Sequence, residues 1–135
     1  MAISKEERRI LLKAQQGELD AVKMYNALAK TVKNAKDAEI FRQLAAEEGG
    51  HAAVFKAMTG EVLKPKSTKA ILLPLLYKVI GKKKLYPMIA KGEYDAEKKY
   101  ISVADRFPGV ETVKKDEHRH GDMLMSLLSQ QKVDH

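Results

Sequence analysis

Cysteine is absent from this 135-residue chain. Disulfides, zinc–thiolate sites, Cys-held iron–sulfur clusters and cysteine nucleophiles are thereby excluded together, and any metal must be held by His, Asp or Glu. Tryptophan is also absent and aromatic residues make up only 6% of the chain. That suits an Ala/Leu/Lys/Glu-rich helical protein better than a sheet protein, which would show more aromatic and β-branched runs. Prolines are few, four in all. The most apolar stretch, Ala70 to Ile80, is too short to span a bilayer, and the N-terminal MAISKEERR lacks the apolar segment of a signal peptide. No membrane span and a cytoplasmic location are expected.

The length is that of one compact domain with a single core. A formal charge of +7 invites a nucleic-acid or anionic-membrane reading, with Lys64, Lys66, Lys69, Lys78 and the run Lys82 to Lys84 as the patch. Aromatic residues are not interleaved with these lysines as a single-strand binder needs. The patch therefore reads as a solvated face, and no nucleic-acid partner is expected.

Ser4 with Glu7 forms a capping-box pattern, and apolar residues then recur at helical spacing to about Val32, which predicts a first helix. Asn34 is placed to cap a second, running to about Met58 and stopping at Gly60 with Pro65 beyond. From Gly60 to Lys84 the pattern is irregular, and Pro74 interrupts the run ILLPLLYKVI, which predicts a crossover with a short helix whose apolar face covers the bundle. A third helix is expected over about Lys84 to Asp105, with Pro87 near its start. The Pro108-Gly109 pair separates it from a fourth that ends near Gln131. Two antiparallel helix hairpins joined by one long crossover form an all-α, ferritin-like four-helix bundle.

An internal repeat supports this layout. GELDAVKMY (Gly17 to Tyr25) and GEYDAEKKY (Gly92 to Tyr100) agree at six of nine positions, and each copy is followed by a second motif, EEGGH at Glu47 to His51 and DEHRH at Asp116 to His120. Each half thus carries a Glu and then a Glu-x-x-His.

Taking steps of three and four along each helix gives the stripe it turns toward a core. The first gives Leu11, Ala14, Glu18, Ala21, Tyr25, Leu28 and Val32. The second gives Phe41, Leu44, Glu48, His51, Phe55 and Met58, and the third Ile89, Glu93, Ala96, Tyr100, Val103 and Phe107. The fourth gives Val110, Val113, Glu117, His120, Leu124 and Leu127. Glu18 and Glu48 are equidistant from Lys33, beside Asn34. Glu93 and Glu117 are equidistant from Asp105, at the edge of the second turn, so the four carboxylates are expected at one depth. Buried without counter-charge, they would take up protons or unfold the bundle, whereas two divalent cations cancel them and His51 and His120 each add a nitrogen ligand. Glycines in helix interiors cost about 1 kcal/mol each relative to alanine. Five flank these positions, Gly17, Gly49, Gly50, Gly92 and Gly121, and are expected to let helices approach and leave room for metal.

Glu18, Glu48-x-x-His51, Glu93 and Glu117-x-x-His120 resemble the di-iron motif of the rubrerythrin family within the ferritin-like superfamily, over nearly the whole chain apart from the crossover. The resemblance implies that Glu48 and Glu117 bridge the metals while Glu18 with His51 and Glu93 with His120 complete the two ends. It also implies reduction of hydrogen peroxide or dioxygen by two iron ions, a homodimer, and an external donor such as a rubredoxin, since a cysteine-free chain cannot carry the rubredoxin domain of typical rubrerythrins. A further family ligand falls at Ala96 here; Glu97 is the alternative, as an extra ligand or as a solvated neighbour. The ligand types leave manganese or a mixed pair open beside iron.

Asp116 is expected to bond His51, and Glu47 to bond His120, fixing the imidazoles across the pseudo-twofold. Tyr25 and Tyr100, seven residues beyond Glu18 and Glu93, either pack in the core or assist the metals by a hydrogen bond or one-electron donation. His118 and His135 are expected to be exposed and not ligands. Two other functions stay open at this point: ferrous-ion oxidation for storage, and a metal-sensing or structural bundle that docks on an acidic partner through the basic crossover.

Overall fold

A computed structural model describes residues 2–131; His135 lies outside them. All regular structure among the described residues is helical, in six segments. The chain divides into two compact units, one reaching to Pro74 and the other starting at Leu75.

The first unit is a helix pair. Helix α1 spans Lys5–Thr31 and begins as the capping box requires: Ser4 accepts from the Glu7 N–H while the Glu7 carboxylate accepts from the Ser4 N–H. Helix α2 spans Ala35–Thr59. The Asn34 side chain accepts from the N–H groups of Lys36 and Asp37, and Gly60 ends the helix in the left-handed conformation at φ 70°. So short a turn makes α1 and α2 antiparallel neighbours. Leu11, Tyr25, Leu28, Phe41, Leu44 and Phe55 are fully buried, with Tyr25 stacked on Phe41 at 5.8 Å between ring centroids. Burying such side chains is worth about 1.5–3 kcal/mol each.

Beyond Gly60, residues 61–67 have no helix of their own, yet α1 serves their polar groups. Gln15 and Gln16 donate to the Glu61 and Lys64 carbonyls, Asp20 accepts from the Lys66 N–H, and Lys23 donates to the Ser67 hydroxyl. At the preceding helix end Arg8 donates to the Thr59 carbonyl and pairs with Glu61 at 2.7 Å. Thr59 in turn donates to the Gln15 side chain at 2.6 Å.

Helix α3, Thr68–Ile80, departs from the sequence reading twice. It runs through Pro74 without interruption. A proline here forfeits the single bond to the Ala70 carbonyl, and Ala70 is accessible enough for water to take it, while the surrounding leucines favour helix. None of its residues is buried. The covering face is only partial: Leu73, Leu76, Tyr77 and Ile80 are half-buried, while Ile71, Leu72, Leu75 and Val79 point outward.

The second unit holds α4 (Lys82–Lys99), the single turn α5 (Ile101–Ala104) and α6 (Pro108–Gln131). Gly81, at φ 78°, turns the chain into α4 two residues earlier than the spacing predicts, so Pro87 lies in the second turn. The third helix is also not continuous to Asp105. The Tyr100 N–H is shared between the Ala96 and Glu97 carbonyls, which tightens and ends α4 there. Pro108 is the first residue of α6, the position where its missing N–H costs nothing. Leu85, Tyr86, Val103, Val110, Val113, Leu124 and Leu127 form the buried face of this unit. Ala21, Met58, Ala96 and Phe107, expected inside, are only half-buried.

Candidate metal centre

Each unit carries a buried trio of two carboxylates and one imidazole. In the first, Glu18 from α1 and Glu48 and His51 from α2 converge, with His51 Nδ1 lying 2.9 Å from Glu48 Oε1 and 3.4 Å from Glu18 Oε2. In the second, Glu93 from α4 meets Glu117 and His120 from α6. His120 Nδ1 lies 3.0 Å from Glu93 Oε2 and 3.4 Å from Glu117 Oε1. All six side chains are at most 8% exposed. Within each pair of helices, the equal distance of the two glutamates from their turn has brought them to the same depth.

The i,i+3 spacing of Glu48 with His51 and of Glu117 with His120 places carboxylate and ring on one helix face. Both rings turn the same nitrogen, Nδ1, toward the carboxylates. The donor set also fits an ion by size. Ligands at about 2.1 Å around a six-coordinate cation lie roughly 3.0 Å from one another, close to the 2.9–3.4 Å found here. Charge points the same way. Two carboxylates against one imidazole leave each trio negative even with the ring protonated, and burying an unbalanced charge costs several kcal/mol.

Other predicted residues are placed less centrally. Glu97 is half-buried, its carboxylate 2.9 Å from His118 Nδ1. His118 is largely exposed, as expected. Within its own helix Glu47 accepts from Gln43 at 3.0 Å, and Asp116 accepts from Arg119 at 3.3 Å. Tyr25 is buried against Phe41, and Tyr100 is buried at the α4–α5 junction. Of the five flanking glycines only Gly121 meets a close neighbour: a Cβ there would stand 2.6 Å from Cζ of Tyr94. Gly49 has ordinary contact with Val22, and Gly17, Gly50 and Gly92 face open space, so close helix approach does not explain them.

Sequence reasoning missed a polar cluster on the α4–α6 face. The Tyr94 hydroxyl donates to Asp122 at 2.6 Å, the His118 ring lies 5.4 Å from that of Tyr94, and His118 Nε2 lies 3.4 Å from Asp122. The one signal was Gly121, which makes room for the Tyr94 ring. The hydrogen bond to Asp122, then burial and the charges of Asp122 and Glu97, push the Tyr94 phenol up to about 12. The fold therefore holds this proton more tightly than the unfolded chain does. Its contribution to stability is complete below the ordinary tyrosine range near 10 and is lost as pH climbs toward 12. Asp122→Asn is expected to return Tyr94 toward that range, read as earlier phenolate absorbance in an alkaline titration; an unchanged titration would show that Asp122 does not hold the proton. His118 is raised by its hydrogen bond to and charge interaction with Glu97. Its stabilising share is present below the ordinary histidine value near 6.5 and disappears as pH rises through the folded value.

A family model described as Rubrerythrin matches residues 9–128, nearly the whole chain. No curated protein and no solved structure matches it.

Proposed function

The chain belongs to the rubrerythrin family, and from that premise we propose that it is a di-iron oxidoreductase that reduces hydrogen peroxide, or dioxygen, with electrons from an external donor. The observation that supports this reading is the repeated trio, two buried carboxylates facing one Nδ1 in each unit. In this reading the 135 residues act as one domain. Glu48 and Glu117 would be shared by the two ions, with Glu18 and His51 holding one and Glu93 and His120 the other.

Bound as a ferrous pair, the ions supply the two electrons that, with two protons, reduce hydrogen peroxide to two waters. The protein's own part is to hold charge and orientation. Four glutamates neutralise two divalent ions, and the imidazoles present fixed nitrogens. The apolar stripes above and below, Leu11, Tyr25, Phe41, Leu44 and Phe55 in one unit and Ile89, Val113 and Leu124 in the other, keep bulk water from the donors. Asp116 toward His51 and Glu47 toward His120 are the carboxylates that would fix the imidazoles in this reading. The same donors would accept manganese or a mixed pair. In this reading the electrons come from a separate donor protein such as a rubredoxin, the location is cytoplasmic and the state is homodimeric.

The test is anaerobic loading with ferrous ion, followed by stopped-flow addition of peroxide or of air. Two irons per chain, oxidised fast by peroxide and slowly by air, is the expected result. The reverse preference with accumulating mineral would mean ferrous-ion oxidation for storage, and metal binding without turnover would leave a sensing or structural role.

A further inference from the structure

The positive charge of this protein is concentrated in one stretch. Between Glu61 and Glu93 there are eight lysines and no acidic residue. That stretch carries +8, so the rest of the chain, within a total of +7, carries −1. At its middle lies α3, whose apolar residues are mostly directed outward: Ile71 is 65% exposed, Leu72 48%, Leu75 55% and Val79 79%.

At about 100° per residue these four side chains fall within an arc of roughly 100° on one side of α3. Lys78 lies about 20° beyond one edge of that arc and Lys69 about 60° beyond the other. Both are exposed, as are Lys64 and Lys66 before the helix and Lys83 and Lys84 after it. Leu73, Leu76, Tyr77 and Ile80 are half-buried on the remaining side. No helix among the described residues is long and apolar enough to cross a membrane.

We propose that α3 is an interfacial helix that seats the protein on an anionic lipid surface, the apolar arc at the acyl boundary and the flanking lysines among the headgroup phosphates. A helix lying in the plane of a bilayer needs an apolar strip with cationic groups beside it, their stems long enough to lie along the strip while the ammonium groups reach the headgroups. Lys78 borders the arc, and the exposed Lys64, Lys66, Lys83 and Lys84 flank the helix at its two ends, which supplies those groups. The other occupants fit less well. A second copy packed on this arc would bring the lysines beside α3 against their own equivalents, setting like charges against each other. A nucleic acid would satisfy the lysines and leave the apolar arc in water, with no aromatic side chain on it to stack with bases. The inference does not rest on the di-metal reading.

The test uses the full-length protein, loaded with ferrous ion under anaerobic conditions, in flotation with vesicles. One set holds phosphatidylglycerol in phosphatidylcholine and the other phosphatidylcholine alone. Binding to the anionic vesicles should exceed that to the neutral ones by at least about tenfold and fall as salt is raised. Leu75→Glu and Val79→Glu, at exposed positions, should abolish it, while circular dichroism and bound iron stay as in the parent. Lys83→Glu with Lys84→Glu should weaken it about tenfold and flatten its salt dependence. Several outcomes would overturn the proposal: no flotation, equal binding to both vesicles, or binding that survives Leu75→Glu. A vesicle-free dimer that Leu75→Glu disperses would assign the face to a second copy, and duplex DNA retained in preference to vesicles would assign it to nucleic acid.

Discussion

Replacing Glu48 and Glu117 by glutamine is expected to abolish the binding of two metals per chain and, in the metal-free protein, to raise stability. The two effects have one cause. Each glutamate is buried beside an imidazole and a second carboxylate, an arrangement that costs free energy until a cation arrives. Glutamine keeps the shape and removes the charge. Metal content should fall below one ion per chain and peroxide consumption by on the order of 100-fold or more, beyond the 10–100-fold that outer partners of ligands typically cost. The metal-free variant should melt higher than the metal-free parent, by about 1 kcal/mol or more, as when buried ionic groups are replaced by neutral ones of like volume. Calorimetry with and without chelator, together with bound-iron analysis, reads both. A variant that still holds two irons would remove these residues from the centre, and a destabilised metal-free variant would show that the carboxylates are already balanced without metal.

Phe41→Ala carries the largest expected loss of stability. Phe41 is fully inaccessible and stacks on Tyr25 at an interplanar angle of 23°. Truncation forfeits the transfer free energy of the ring, opens a cavity between α1 and α2 and removes the aromatic pair, for about 3–5 kcal/mol. Against a total of about 5–15 kcal/mol for an ordinary domain, this approaches unfolding at elevated temperature. Val79→Ala, on the outward face of α3, should stay within about 0.5 kcal/mol. Urea midpoints measured on both separate the cases. A cost below about 1.5 kcal/mol at Phe41 would mean that the pair closes over the gap.

Much of this architecture was legible because its determinants are local. Capping at Ser4 and Asn34, the glycine stop at Gly60 and the 3.6-residue period fix where α1 and α2 begin, end and face. The same period set Glu18, Glu48, His51, Glu93, Glu117 and His120 inward, and the structure buries every one of them. What the sequence hid is tertiary. Pro74 reads as a breaker until the rest of α3 is seen to tolerate one missing bond. The outward turn of Ile71 and Leu75 depends on which side of an almost wholly apolar helix finds neighbours, and periodicity carries no such information. Gln15 lies outside the apolar stripe, yet it is buried because Thr59 and Glu61 meet it there. The Tyr94–Asp122 bond joins side chains 28 positions apart, beyond the reach of any spacing rule.

The stretch between α2 and α3 has no helix to protect it, and in most proteins such a segment is where proteases enter. Here Arg8, Gln15, Gln16, Asp20 and Lys23 hold it along α1. A protease must draw the substrate backbone into an extended form free of its own partners, so cutting after Lys66 first requires that fastening to come undone. The segment's lifetime in a digest is then set by how often α1 releases it, and its lysines are poor bait despite their abundance.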